Sequence, residues 1–261
     1  MPGLDTSTYA LAHLRLDGRR WNELRRIHGQ ISTQSSADGS SVFSMGNTTV
    51  LCTVSGPQEV RRVGARDQAN VAKIDVEINL AAFSQTDRKR RSKSDKRISE
   101  MSHTISSAFS NTLFTHLYPH STITINLHVL SQDGSLLAAC LNASTLALVD
   151  AGIPMSGYIA ACTTGSTAAY ADKEEEADPV LDLNGLEELE LPFLTVAAGG
   201  GKNGTGDEED KVNVLIMETK VQMARLEAMI SVGLDGCKQV RSILDGVVRE
   251  HGRKVLEAKV G

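Results

Sequence analysis

Aromatic residues make up only 4% of this chain, with one Trp, four Tyr and five Phe among 261 residues. So few aromatics argue against a surface built to stack nucleobases. Cysteines are equally sparse. Cys52, Cys140, Cys162 and Cys237 form no CxxC pair, no histidine stands at zinc-finger spacing, and each sits in an apolar stretch. They read as buried, reduced core thiols. No apolar run is long enough to span a bilayer and the N-terminus has no apolar signal core, so a soluble intracellular protein without a membrane partner is expected. Gly-rich phosphate loops, GxSxG and HExxH are all absent. The net charge is -5, which leaves any nucleic-acid role to a local basic patch.

What is present is hydrophobic patterning, at 41% of residues. Residues 1–14 carry little of it and read as a loose arm. Val42 to Met45 and Thr48 to Val54, joined by Gly46-Asn47, predict a β-hairpin. Ile74, Val76 and Ile78 alternate with Lys73, Asp75 and Glu77, which predicts a half-buried strand over 71–78. A helix is expected over 95–117, followed by an alternating strand over 123–130 with His128 on its polar face. Asp133-Gly134-Ser135 then turns the chain into an Ala/Leu-rich helix, 136–149, which Gly152 and Pro154 terminate.

A second half starts at about 153. Strands are expected over 158–163 and 180–183, a flexible Gly-rich and acidic loop over 197–210, and a strand over 211–221. Apolar residues then recur at helical spacing from Gln222 to about Leu256. Gly233, Gly236 and Gly246 leave open whether that is one helix or two. Strands then helix, repeated, indicates an α+β protein of two related halves, 15–150 and 153–256.

Chemistry is concentrated in two places. Arg88 to Arg97 holds seven cations and one acid in ten residues, and its end coincides with the start of the expected helix. Such a run either is solvated or neutralises phosphates, with Lys96 and Arg97 helped by the helix N-terminus. Arg61, Arg62 and Arg66 form a second, weaker cluster. The carboxylates fall into two groups, Asp172 with Glu174 to Glu176, and Asp182 with Glu187, Glu188 and Glu190. Their spacing suits either Mg²⁺ or solvent.

Several separated motifs carry a resemblance. Leu16-Asp17-Gly18-Arg19-Arg20, Ala37-Asp38-Gly39-Ser40-Ser41, Gly46-Asn47-Thr48, Ser55-Gly56-Pro57 and Asp150-Ala151-Gly152-Ile153-Pro154-Met155 resemble, in order, the RNase PH family. The similarity runs from about residue 15 to 256 and is strongest toward the exosome branch, in particular the eukaryotic counterpart of the archaeal catalytic ring subunit. The resemblance implies an RNase PH-like (ribosomal protein S5 domain 2-like) fold, a ring of six such subunits with cap subunits on one face, and an associated hydrolytic nuclease. It also implies single-stranded RNA in the channel, and work in the nucleus, nucleolus and cytoplasm.

Active members of that family hold phosphate with a Thr and an Arg where this chain has Leu136 and Leu137. Leucine offers neither charge nor donors. Of the family's two aspartates six residues apart, the first aligns with Glu188 and the second falls near Pro192 to Leu194, where no acid stands. The Arg after Tyr-Pro is replaced by His120. A degenerate site with no catalytic residue, metal or cofactor is therefore expected, with an active phosphorolytic exoribonuclease relying on Glu188 as the alternative. Lys96 and Arg97 match the basic pair that lines the RNA path, Lys96 replacing the usual first Arg. Arg61, Arg62 and Arg66 match the channel neck more loosely.

Overall fold

The computed structural model describes residues 14–15, 17–59, 71–85, 88, 95–167, 178–202 and 208–260. Two antiparallel-dominated sheets are built in chain order. Strands β1 (Ile27–Ile31), β2 (Gly39–Met45), β3 (Thr48–Glu59), β4 (Lys73–Leu80) and β5 (Ser121–Ser131) form the first, in the order β1-β2-β3-β5-β4. Helix α1 (Lys96–Thr112) connects β4 to β5, so these two strands run parallel, as a helical crossover requires. Helix α2 (Leu136–Asp150) leads to the second sheet. That sheet comprises β6 (Ile159–Ser166), β7 (Pro179–Leu181), β8 (Phe193–Lys202) and β9 (Glu208–Met217), ordered β7-β6-β8-β9. A short helix α3 (Gly185–Glu190) precedes β8, and α4 (Met223–Val260) closes the chain.

The expected hairpin is β2–β3, turning at Gly46, whose φ of 59° is one that glycine adopts without cost. In β4 the alternation holds residue by residue: Ile74, Val76 and Ile78 are buried, while Lys73, Asp75 and Glu77 are exposed. Helix α2 is apolar on every side, and it is buried on every side from Ala138 to Leu148. It packs against β2 and β3 of one sheet and β6 of the other, so one apolar core runs through both halves.

Two polar residues make that central position possible. Strand β7 pairs β6 only over Thr164–Ser166, which leaves the β6 backbone at 159–161 without a strand neighbour on that side. Asn142 of α2 donates to the carbonyl of Ala161 at 3.0 Å and accepts from its N–H at 2.8 Å, and Thr145 donates to the carbonyl of Ile159 at 2.9 Å. The helix thereby supplies the hydrogen bonds a strand would have made.

Two expectations need correcting, and the open question of one helix or two is decided. Residues 197–202 and 208–210 are not a flexible loop but the paired ends of β8 and β9. Pairing uses backbone groups, so a run of glycines can carry it. At Gly199 a Cβ would lie 2.6 Å from Asn213 Nδ2, so a side chain there would have to push that amide aside. Strand β9 ends at Met217, short of Val221. The last helix is single and continuous through its glycines. Two of these let it lie close on the second sheet: a Cβ on Gly233 would come within 2.8 Å of Val196 Cγ2, and one on Gly236 within 2.5 Å of Leu181 Cδ1. Among the described residues no disulfide is formed, and all four cysteines are buried. Burial pushes the Cys140 thiol up to about 12 and the Cys52 thiol higher still. Among the described residues, no helix is long and apolar enough to cross a membrane.

Candidate functional site

The Asp133-Gly134-Ser135 turn between β5 and α2 is the centre of the site. Gly134 has φ of 77°, and a Cβ there would sit 2.6 Å from the Leu183 carbonyl, so this turn and the 182–185 loop are in backbone contact. Ser135 (φ 53°) and Asp182 (φ 53°) both take up left-handed conformations. Side chains lock them together. Ser135 Oγ donates to Asp182 Oδ1 at 3.2 Å and to the Leu183 carbonyl at 3.0 Å. Asp133 accepts from Gly185 N at 3.0 Å and from Asn47 Nδ2 at 2.9 Å, and Thr48 Oγ1 donates to the Gly134 carbonyl at 2.7 Å.

Arginines neutralise the buried acids of this cluster. Arg25 donates to Asp182 through its backbone N–H at 2.8 Å, Nε at 3.1 Å and Nη2 at 2.8 Å, and through Nη1 to the Asp133 carbonyl. Arg15 makes a two-pronged pair with Glu187 and donates to the carbonyls of Leu181 and Asp182. Burial works against the charge on Arg25, but the Asp182 carboxylate outweighs it and holds the guanidinium above its ordinary value. Asp182 and Glu187 are therefore neither metal ligands nor a solvated run. Among the described residues no group of three His, Cys, Asp or Glu side chains is placed to hold a metal ion. No local pattern in the sequence marks Arg15 or Arg25 for this pairing, since their partners lie 172 and 157 residues away.

Beside this turn, between α1, α2 and the second sheet, lies a cavity of about 440 Å³. Leu136 and Leu137 line it, as do Glu188 and Arg97, so four residues singled out in the sequence converge. Its other titratable linings among the described residues are Glu100 and Glu218. Glu188 accepts from the backbone N–H of Ser135, at the head of α2, where a helix start favours an anion. Burial pushes its carboxyl above the usual range, against the lowering pull of the Ser135 N–H, Arg25 and Arg97. At the position of the second family aspartate, Leu194 is fully buried in the core; its neighbours Phe193 and Thr195 face the cavity.

Lys96 and Arg97 open α1, capped by Asp95, whose carboxylate accepts from Arg97 N at 3.2 Å. Both are exposed. Arg97 reaches Glu218 at 3.5 Å, with two-thirds of its side chain in solvent (67%). Arg61, Arg62 and Arg66, Lys89 to Ser94 and the carboxylates Asp172 to Glu176 lie outside the described residues.

The description "3′ exoribonuclease family, domain 1" (RNase PH) belongs to the family model that matches residues 23–154. The chain belongs to the RNase PH family. Its relatives within that family are exosome components. It is 38% identical over 247 residues to the exosome complex component ski6 of Schizosaccharomyces pombe, covering 95% of this chain and 96% of that protein. It is 35% identical to the human exosome complex component RRP41, covering 92% of each. Among solved structures, rice Rrp46 superposes with a TM-score of 0.74 at 25% identity, covering 90% of this chain and all of that one. The α+β architecture is thus the RNase PH-like one.

Proposed function

We propose that this RNase PH-like chain is a non-catalytic ring subunit of an RNA exosome. It scaffolds the ring beside other RNase PH-like and cap subunits, and it guides single-stranded RNA to a separate hydrolytic nuclease for 3′–5′ processing and decay. The observation that carries the reading is the charge of the cavity at the site. Among the described residues three carboxylates, Glu100, Glu188 and Glu218, line the cavity with one guanidinium, Arg97, and the two positions at the head of α2 are Leu136 and Leu137. Phosphorolysis needs inorganic phosphate, which carries more than one negative charge at neutral pH. A pocket with an excess of carboxylates repels it, and leucine returns no hydrogen bonds for the water it would shed. Membership among relatives that are exosome components supports the assembly.

For the RNA path the support is Lys96 and Arg97, exposed together at the N-terminus of α1, where side-chain charge and helix dipole act on the same anion. Both halves of the reading have direct tests. Labelled RNA and inorganic phosphate, incubated with the chain alone and with the reconstituted ring, are expected to yield no nucleoside diphosphate. Phosphate-dependent product that vanishes on Glu188→Gln would establish phosphorolysis instead. Within the ring, Lys96→Glu with Arg97→Glu is expected to shorten the protected RNA. Neutralising two phosphate contacts also lowers the salt slope of single-strand binding by roughly 1.4. Unchanged protection and slope would remove these residues from the path.

A further inference from the structure

The cavity beside the Asp133-Gly134-Ser135 turn combines two chemistries. Its floor is apolar, formed by Ile98, Met101, Leu136, Leu137, Phe193 and Ile216. Among the described residues, its titratable lining is Glu100, Glu188, Glu218 and Arg97. Arg97 is already turned to Glu218, at 3.5 Å. Among the described residues neither Glu100 nor Glu188 has a salt-bridge partner, and the second oxygen of Glu188 has no donor. The first oxygen is held by Ser135 N, which fixes the carboxylate in place at the cavity wall.

The geometry points to a binding site for a small amphipathic organic cation, an ammonium or guanidinium on a short alkyl stem. Its head group pairs with the fixed carboxylate of Glu188 and with Glu100, and its stem lies along Leu136, Leu137 and Phe193. Charge-assisted hydrogen bonds form with a carboxylate that is already immobilised, so little side-chain entropy is lost on binding. The stem removes apolar floor from water. At about 440 Å³ the cavity lies within the size range of small-molecule sites. Other occupants fit less well. An inorganic anion or a nucleotide phosphate meets the carboxylate excess. A divalent metal lacks a third ligand, because no group of three donors is assembled among the described residues. This inference rests on the same cavity charge as the non-catalytic reading but not on ring assembly, and it survives if the chain proves not to sit in a ring.

The test is calorimetric titration of the full chain with agmatine, with butylamine as a second cation and with inorganic phosphate and adenosine monophosphate as counter-probes. Agmatine and butylamine are expected to bind, and the two anions not to. Glu188→Gln keeps the shape of the side chain and its bond from Ser135 N, and is expected to weaken agmatine about tenfold to a hundredfold. Glu100→Gln, on the exposed surface of α1, gives a second and smaller loss. Leu137→Arg places a guanidinium in the cavity and is expected to abolish agmatine binding and to admit phosphate. Melting curves identify any variant that fails to fold, and the Glu100 and Glu188 variants then carry the test. Absence of binding at millimolar agmatine overturns the site. So does agmatine binding that neither glutamine variant alters, or phosphate or adenosine monophosphate binding in the unsubstituted protein that agmatine competes away.

Discussion

Changing Asp182 to asparagine keeps the shape of the side chain and removes one negative charge from a buried cluster. Asparagine visits the left-handed region readily, so the φ of 53° at this position adds no backbone penalty. What remains is electrostatic. The Arg25 side chain is only 6% exposed and Asp182 is fully buried, so the guanidinium is left without its main counter-charge in a place water does not reach. Breaking a buried pair by removing one partner costs about 3–5 kcal/mol. Arg25 keeps its bond to the Asp133 carbonyl and still feels the charges of Asp133 and Glu188, which puts the cost at the lower end, about 3 kcal/mol. In a domain of this size each kcal/mol moves the melting temperature by about 2–4 °C, so the expected drop is roughly 6–12 °C. Thermal unfolding by circular dichroism reads this directly, and urea unfolding should show a lower midpoint at unchanged slope. Adding Arg25→Met removes the orphaned charge, so the double variant should lose less than the two single changes summed. A drop below about 2 °C, or strictly additive losses, would refute the view that this pair carries the turn.

Other outcomes follow from the same structure. Burial raises the Glu188 carboxyl, so the fold favours its protonated form. That contribution is complete below the ordinary glutamate value of about 4.3 and is lost as pH rises through the raised one. Glu188→Gln should therefore melt above the unsubstituted protein at pH near 7, the gap closing toward pH near 4; a gap constant in pH would refute it. Two glycine-to-alanine changes should have opposite signs. At Gly39 a Cβ would lie 2.3 Å from the Ala147 carbonyl, which cannot yield without moving α2, and the cost is at least about 1–3 kcal/mol. At the exposed Gly246 of α4 nothing lies within 4 Å, and alanine should stabilise by roughly 0.5–1 kcal/mol; equal melting shifts would contradict the packing described. In hydrogen exchange, the amides that pair residues 194–199 with 211–217 should be protected, and loop-like rates there would dissolve the β8–β9 ladder.

Periodicity made much of the fold legible in the sequence. The alternation in β4 and β5 and the all-apolar face of α2 each bury a repeating set of side chains, and a repeating set leaves a trace in the order of residues. Where backbone rather than side chain does the work, the trace fades. Gly199 to Gly201 read as loop because they carry no pattern, although their peptide groups pair along β9. Gly233 and Gly236 lowered the helical signal of α4 at the points where contact with Val196 and Leu181 demands the absence of a side chain. Packing there overrides local propensity. At the site, Leu136, Leu137, Glu188, Lys96 and Arg97 were visible because they stand inside or beside motifs. The arginines that hold the acids were not, because a pairing across more than 150 residues is a property of the fold and has no local signature.

That division explains how, on the non-catalytic reading, the groups lining the cavity can change while the scaffold of the turn persists. The groups that shape the turn are Asp133, Ser135, Asp182 and Arg25, joined by buried bonds, with Arg15 and Glu187 bracing the helix behind the loop. Removing any one of them strands a buried polar group, at a cost the fold registers directly. Leu136 and Leu137 stand on the opposite footing. They sit half-buried at the edge of the core, and there a leucine adds apolar contact while an arginine would need a counter-charge. Substitutions toward leucine at these two positions thus cost the fold nothing, whereas substitutions in the Asp182–Arg25 pair do. On the non-catalytic reading, Leu136→Thr with Leu137→Arg should accordingly bring phosphate into the cavity at some expense in stability, and a variant at least as stable as the unsubstituted protein would refute the view that the fold favours leucine there.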